Sequence, residues 1–513
     1  MPWQFHARIQ AGVRFQSQRA SDRCPGGGAA RAAAPAPDRP ARARRLGWPY
    51  ELSSADPFGT MVRSKRRAAW ESCMKPRTSF AVLSLAILAY LSAGATAEDL
   101  LSADGRYGVG VLRTEFVDPA RAMQVANEAS APRRLPAVVW YPAQAAMQDR
   151  AVGYLSDAGI ATTLPAIARL FAYPPADLQP LASARVRAEA GARPARINGG
   201  FPVVIYSHGL FLYPEQNTTL AIQLASHGYI VVSIAHLGDA ADVRLQDGTV
   251  VPTQPMGQTD DPRFAEAWKI LAAGPDLSAR RQALAIYAQA QPGSRVGRAA
   301  TQWRDDAIFV ANAIHAQHEP QALRQVMEHA DRNRLAFVGM SMGGAAAAAG
   351  CRHVVACQAA VNLDGQNLDA DLYDSPVRRP LLLMLSDWPR YGLLPPQPKD
   401  PAFSPNDLAY EPWRTAGQDP RIVRLRVQGL RHLGFTDLGL LVGQKRVERF
   451  GDLAPADAAA AVNDVVLTFL DVQLRGQAPA TLDAAIARHP ALVPHEPVQV
   501  QRWIEQEQAG TKD

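Results

Sequence analysis

Leu335-Ala-Phe-Val-Gly339-Met340-Ser341-Met342-Gly343-Gly344-Ala345 carries a short apolar run directly into a stretch of glycine and alanine. The run Leu335 to Gly339 reads as a buried strand, and Ala345 to Ala349 as a helix of very small residues. Between them stands Gly-x-Ser-x-Gly. A serine on so sharp a strand-to-helix turn is held in a strained conformation, and a side chain at either flanking glycine would crowd the turn. The turn lifts the hydroxyl clear of the sheet and sets it at the positive end of the helix. The motif is frequent by chance. The strand before it and the helix after it make Ser341 a candidate nucleophile, with a structural serine as the alternative.

Working outward, buried-strand patterns alternate with helical ones. Pro202 to Ser207 and Tyr229 to Ala235 read as central parallel strands, with a helix at Thr218 to Ala225 between them. Tyr107 to Phe116 and Leu135 to Tyr141 suggest an antiparallel start to the sheet. Past the serine, strands are expected at Gln358 to Leu363, Pro380 to Leu385 and, as the last, Ile422 to Val427. Helices are expected at Trp303 to His315 and, closing the domain, at Ala458 to Leu474. The whole predicts an α/β fold with a mostly parallel central sheet flanked by helices. Residues 238–300 break the rhythm around amphipathic stretches at Phe264 to Leu271 and Ala279 to Ala290. They read as an insertion ahead of the nucleophile strand, either a lid or an inert surface excursion. Trp268-Lys-Ile-Leu271 could touch a lipid surface transiently, and a packed lid helix is the alternative.

A serine hydroxyl is a weak nucleophile without a base. In the chain order Ser, acid, His, the base lies beyond the last strand, where Gly429-Leu-Arg-His432-Leu-Gly-Phe-Thr-Asp437 supplies His432. The acid that orients the imidazole has two candidates at strand ends, Asp364 and Asp387, and spacing alone leaves both open. Two backbone N–H groups must face the developing oxyanion. Met342, next to the serine, offers one. Leu210, in the loop Ser207-His208-Gly209-Leu210, offers the other. His208 reads as support for that loop. Phe211, Tyr213 and Trp388 are candidates to line the substrate pocket. No metal or organic cofactor is expected.

Met74 to Ala97 has a short basic start, an apolar run from Phe80 to Leu91 and Ala95-Thr-Ala97 at its end, the layout of a secretory signal peptide. Residues 1–73, rich in Arg, Ala, Pro and Gly, read as an upstream artefact with translation starting at Met74. A disordered basic extension is the alternative. Residues 98–513 then form the α/β domain, expected to be secreted or periplasmic. The first 97 residues hold 15 Lys/Arg and 5 Asp/Glu of the chain's 54 and 48, leaving 39 basic and 43 acidic residues beyond them. The remainder thus lacks the basic excess that nucleic-acid binding requires. Only Cys351 and Cys357 follow the leader. They are a disulfide in an oxidising compartment or two free buried thiols. Nothing in the sequence fixes an oligomeric state.

Several segments together resemble one family. Val139-Trp-Tyr-Pro142, Ile205-Tyr-Ser-His-Gly-Leu210, Leu224-Ala-Ser-His-Gly-Tyr-Ile-Val-Val232 with His236, Gly339 to Gly344, Asn362-Leu-Asp364 and Gly429 to Asp437 are similar to the secreted, plasma-type platelet-activating-factor acetylhydrolases and their dienelactone-hydrolase-like bacterial relatives. The similarity runs discontinuously from about Gly105 to Gly476. It implies the α/β-hydrolase fold and hydrolysis of a small-molecule or lipid acyl ester through an acyl-enzyme. It also implies Asp364 as the acid, with Asp387 the runner-up, and Leu210 and Met342 as oxyanion donors. Phe211-Leu-Tyr213 and the long insertion depart from the family pattern on the substrate side. The rival functions are peptide hydrolysis or acyl transfer on the same three residues, and a non-catalytic binding protein on a hydrolase scaffold.

Overall fold

In the computed structural model, ten strands of the described residues form one sheet. They are β1 (Gly108–Met123), β2 (Ala131–Ala143), β3 (Glu189–Ala190), β4 (Phe201–Ser207), β5 (Ile230–Ile234), β6 (Ala330–Met340), β7 (Cys357–Leu363), β8 (Leu381–Leu385), β9 (Ile422–Val427) and β10 (Leu492–Pro494). Their order across the sheet is β10-β9-β8-β7-β6-β4-β5-β2-β1-β3. The six strands from β9 to β5 are mutually parallel, and β2 turns antiparallel against β5. The structure describes residues 103–123, 131–144, 151–254, 261–274, 276–392, 403–413, 418–443 and 447–510. The segments read as a leader and as an extension before it lie outside them.

Every residue of β4, β5 and β8 is buried. A strand without an exposed face needs cover on both sides, so the β-branched runs Val203-Val-Ile205 and Ile230-Val-Val232 dictate a two-sided sandwich. Helices α1 (Thr218–Ser226) and α6 (Pro455–Arg475) pack on one another, as do α4 (Arg295–His315) and α5 (Met342–Cys351). This is the α/β-hydrolase fold.

Ile422–Val427 is not the last strand. Leu492–Pro494 adds an antiparallel edge to it, and the chain continues through helices at Ala480–Ala487 and Val498–Gly510. Three residues on an edge bury too little to leave a periodic signal. Glu189–Ala190, parallel to β1 at the other edge, escapes notice for the same reason. Helix α4 starts at Arg295, eight residues ahead of the expected Trp303, because Ser294 caps it by accepting from the Gly297 N–H at 2.9 Å.

The insertion holds α2 (Pro262–Ala273) and α3 (Leu277–Ala290), which pack together. Phe264, Ala267, Trp268 and Leu271 are all buried, with Phe264 and Trp268 meeting the Tyr287 ring at 5.0 and 6.1 Å. The apolar face of α2 is therefore spent on packing. Buried Arg280 donates to the carbonyls of Leu271 and Gly274 and closes the C-terminal end of α2. Among the described residues, no helix is long and apolar enough to cross a membrane.

Cys351 and Cys357 are bonded, their Cα atoms 5.4 Å apart. The bridge joins the end of α5 to the first residue of β7, so it links the helix behind Ser341 to the strand that delivers Asp364. It spans a sequence separation of 6. Replacing both cysteines with alanine should lower the unfolding free energy by about 2 kcal/mol, the loop-entropy value for so short a ring. Guanidinium unfolding of the double variant beside wild type measures it.

Candidate active site

Ser341 follows the last residue of β6 and precedes the first residue of α5, with φ 58° and ψ −122°. The flanking glycines explain how the turn closes. A Cβ on Gly339 would stand 2.2 Å from the Gly343 carbonyl oxygen, and one on Gly343 would stand 2.1 Å from the Ser207 carbonyl oxygen. No side chain fits either place. The Ser341 N–H donates to the Leu363 carbonyl at 2.8 Å, tying the strained residue to the end of β7.

His432 opens a single helical turn, His432–Phe435, beyond β9. Its Nε2 lies 2.9 Å from Ser341 Oγ and its Nδ1 lies 2.7 Å from Asp364 Oδ2. Asp364, also at positive φ (58°), sits where β7 ends. Its second oxygen accepts the Ser386 N–H at 2.7 Å, and its own N–H donates to the Met384 carbonyl at 2.7 Å. The carboxylate is thus held between the ends of two adjacent strands. Asp387 does not face the imidazole. Its oxygens take the Arg426 guanidinium at 2.5 Å and the Gly429 N–H at 2.8 Å, and its N–H donates to the Leu430 carbonyl. It braces the segment leading into His432.

The loop after β4 runs past the serine. A Cβ on Gly209 would approach Met340 Sδ to 2.9 Å and Ser341 Cβ to 3.4 Å. The Gly209 N–H goes to Gln216 Oε1 at 2.8 Å and the Phe211 N–H to the Asp239 carbonyl at 2.8 Å. Among the described residues these bonds leave the Leu210 N–H unspent. Met342 is the first residue of α5, so its N–H has no intrahelical acceptor. Phe211, Tyr213 and Trp388 are 0, 1 and 3 % exposed, packed into the core rather than on an open wall. The Tyr213 hydroxyl meets that of Tyr154 at 3.3 Å, and Trp388 stands edge-on to His495.

A second Ser–His–Asp chain lies behind the first. Ser207 Oγ is 3.1 Å from His236 Nε2, and His236 Nδ1 is 2.9 Å from Asp306 Oδ2. Access separates the two. Ser207 and His236 are buried, and Asp306 is fastened by Arg133 at 2.6 and 2.5 Å, whereas Ser341 and His432 are both partly exposed. His236 also stacks on Trp303 at 3.9 Å. His208 Nδ1 donates to the Gly209 carbonyl at 2.7 Å and its Nε2 accepts the His236 N–H at 3.2 Å, which fixes one neutral tautomer. This network underpins the loop carrying Leu210. Asp306, Arg133 and Trp303 gave no signal in the sequence, since each lies far along the chain from the loop it serves.

Burial pushes the His208 imidazole down to about 3, with the neighbouring His236 adding to the effect. The folded value is depressed, so the neutral ring's contribution to stability is complete above the unfolded value. It is lost as pH falls from about 6.5 toward 3. Replacing His208 with glutamine should therefore shrink the loss of stability between pH 7 and pH 4. Thermal unfolding of both proteins across that range checks it.

A family model described as platelet-activating factor acetylhydrolase, isoform II, matches residues 137–478. The chain belongs to that family. A platelet-activating factor acetylhydrolase of Cavia porcellus is 26 % identical over 157 residues, 30 % of this chain and 32 % of the relative. One of Gallus gallus is 22 % identical over 296 residues, 55 % of this chain and 65 % of the relative. The chain thus spans about a third of the first acetylhydrolase and just under two thirds of the second. A solved ferulic acid esterase from Streptomyces cinnamoneus aligns with a TM-score of 0.55 at 23 % identity, over 78 % of this chain and 100 % of its own. It shares the fold.

Proposed function

We propose that this acetylhydrolase-family chain is an exported serine esterase that cleaves carboxylic esters through an acyl-enzyme. The observation that carries the reading is the continuous Ser341–His432–Asp364 hydrogen-bond chain, at 2.9 and 2.7 Å, beginning on a partly exposed serine. His432 Nε2 takes the Ser341 proton as Oγ attacks the ester carbonyl. Asp364 holds the Nδ1–H tautomer and stabilises the imidazolium. The Leu210 and Met342 N–H groups receive the tetrahedral oxyanion. His432 then gives its proton to the leaving alkoxide and later activates the water that releases the acid. The family and the acetylhydrolase relatives favour ester cleavage over peptide cleavage or acyl transfer, and a lipid or small-molecule ester as substrate. Export is proposed from the Met74–Ala97 layout and is supported by the Cys351–Cys357 bond, which suits an oxidising compartment.

A series of p-nitrophenyl esters from acetate to palmitate tests the reading on the protein beginning at Glu98. A peak at the shorter acyl chains would indicate a shallow acyl site. Turnover rising steadily to palmitate would instead require a long channel. No turnover on any ester would overturn the esterase reading.

A further inference from the structure

The His432 turn and the oxyanion loop approach the serine from opposite ends of the sequence, and they are fastened to each other by buried hydrogen bonds. The Gly209 N–H donates to Gln216 Oε1 at 2.8 Å. The Gln216 carbonyl in turn accepts the Asp437 N–H at 2.9 Å, and Asn217 Nδ2 donates to the Phe435 carbonyl at 2.7 Å. Asp437 completes the fastening. Its Oδ1 accepts the Thr219 hydroxyl at 2.6 Å, and its Oδ2 accepts the Thr219 N–H at 3.1 Å and the Tyr154 hydroxyl at 3.4 Å. Gln216, Asn217, Thr219 and Asp437 are all at most 6 % exposed.

We propose that Asp437 and Thr219 are positioning residues that hold His432 in register with the Leu210 N–H, an inference that rests on the serine-esterase reading above. Base and oxyanion donors act on one tetrahedral centre, and a relative displacement of about 1 Å costs on the order of 100-fold in rate. A carboxylate suits the place because it only accepts, and three donors converge on it. An amide of the same shape would turn an NH2 toward at least one of them.

The groups facing Asp437 are Tyr154 from the segment after Val152–Gly153, Tyr206 from β4, Tyr213 from the oxyanion loop, and Thr218 and Thr219 from α1, with Glu215 acting on Tyr154 and Tyr213. None is cationic, and Glu215 has its own partner in Arg113 at 3.2 Å. Burial accordingly pushes the Asp437 carboxyl up to about 7, against the opposing Thr219 donors. A raised folded value places the residue's stability contribution at low pH and removes it as pH rises through about 7. At pH 8 the carboxyl is largely ionised and can accept all three donors.

Wild type, Asp437→Asn, Thr219→Val and Thr219→Ser decide the matter, each titrated with a fluorophosphonate so that kcat refers to reactive enzyme. At pH 8, Asp437→Asn and Thr219→Val should lose on the order of 10- to 100-fold in kcat with KM changed less than about threefold. Thr219→Ser, which keeps the hydroxyl, should stay within about threefold of wild type. The Tm of Asp437→Asn relative to wild type should be more favourable at pH 8 than at pH 5.5. A kcat within threefold of wild type for Asp437→Asn or Thr219→Val would overturn the proposal alone. So would a Thr219→Ser variant as impaired as Thr219→Val, or a Tm deficit for Asp437→Asn that is the same at both pH values. Wild type inert to both probe and esters would overturn the esterase reading and this proposal with it.

Discussion

Ser341→Ala should abolish ester turnover, lowering kcat by on the order of 10⁶, while leaving the fold and thermal stability nearly unchanged. The size of the expected loss follows from the arrangement around the hydroxyl. In the proposed mechanism Oγ forms the acyl bond, and among the described residues the hydroxyl at 2.9 Å from His432 Nε2 is that of Ser341. Ser207 cannot replace it, because the residue is 2 % exposed and its hydroxyl is committed to His236. The alanine also relieves nothing in the backbone. The turn at φ 58° is imposed by the close approach of Gly339 and Gly343 to their neighbours, not by the serine side chain. Residual turnover should reflect only the oxyanion donors and substrate binding, on the order of 10³ over water. Paired kcat measurements on wild type and variant, with fluorophosphonate labelling and thermal unfolding, check each part. Loss of labelling in the variant together with near-normal turnover would move the nucleophile elsewhere.

The fold and the position of the candidate serine are legible because both rest on local signals. Gly339 and Gly343 are spaced by the steric needs of one turn, and the β-branched runs at 203–205 and 230–232 declare strands buried on both faces. His432 is a candidate by chain order alone, and the structure brings its Nε2 to 2.9 Å from Ser341 Oγ. The rest depends on contacts between residues distant in sequence, which no periodicity records. Thr219 and Asp437 meet across 218 positions, and Arg133 and Asp306 across 173. Phe211, Tyr213 and Trp388 read as pocket residues because large aromatics beside catalytic segments look available. All three are buried in the structure. The edge strands at 189–190 and 492–494 are too short to leave a pattern.

The choice between the two acids gives the second large effect. Asp364→Asn should lower kcat by on the order of 10⁴, the loss expected when an amide favours the wrong imidazole tautomer in such a triad. KM should change little, because the residue touches His432 and not the substrate. The asparagine can still accept the Ser386 N–H through its oxygen, so the strand ends need not separate and the loss should fall on chemistry. Asp387→Asn should behave differently. It leaves the Arg426 guanidinium without its anion and weakens the bond to the Gly429 N–H, so it should cost about 1–3 kcal/mol of stability. Its effect on kcat should be no more than about tenfold, transmitted through a looser approach to His432. The contrast separates a carboxylate that orients the base from one that shapes the segment carrying it. Equal kcat losses would mean that either the 2.7 Å contact with His432 Nδ1 or the brace at Gly429 has been assigned the wrong weight. A larger loss for Asp387→Asn would transfer the acid's role to the later strand.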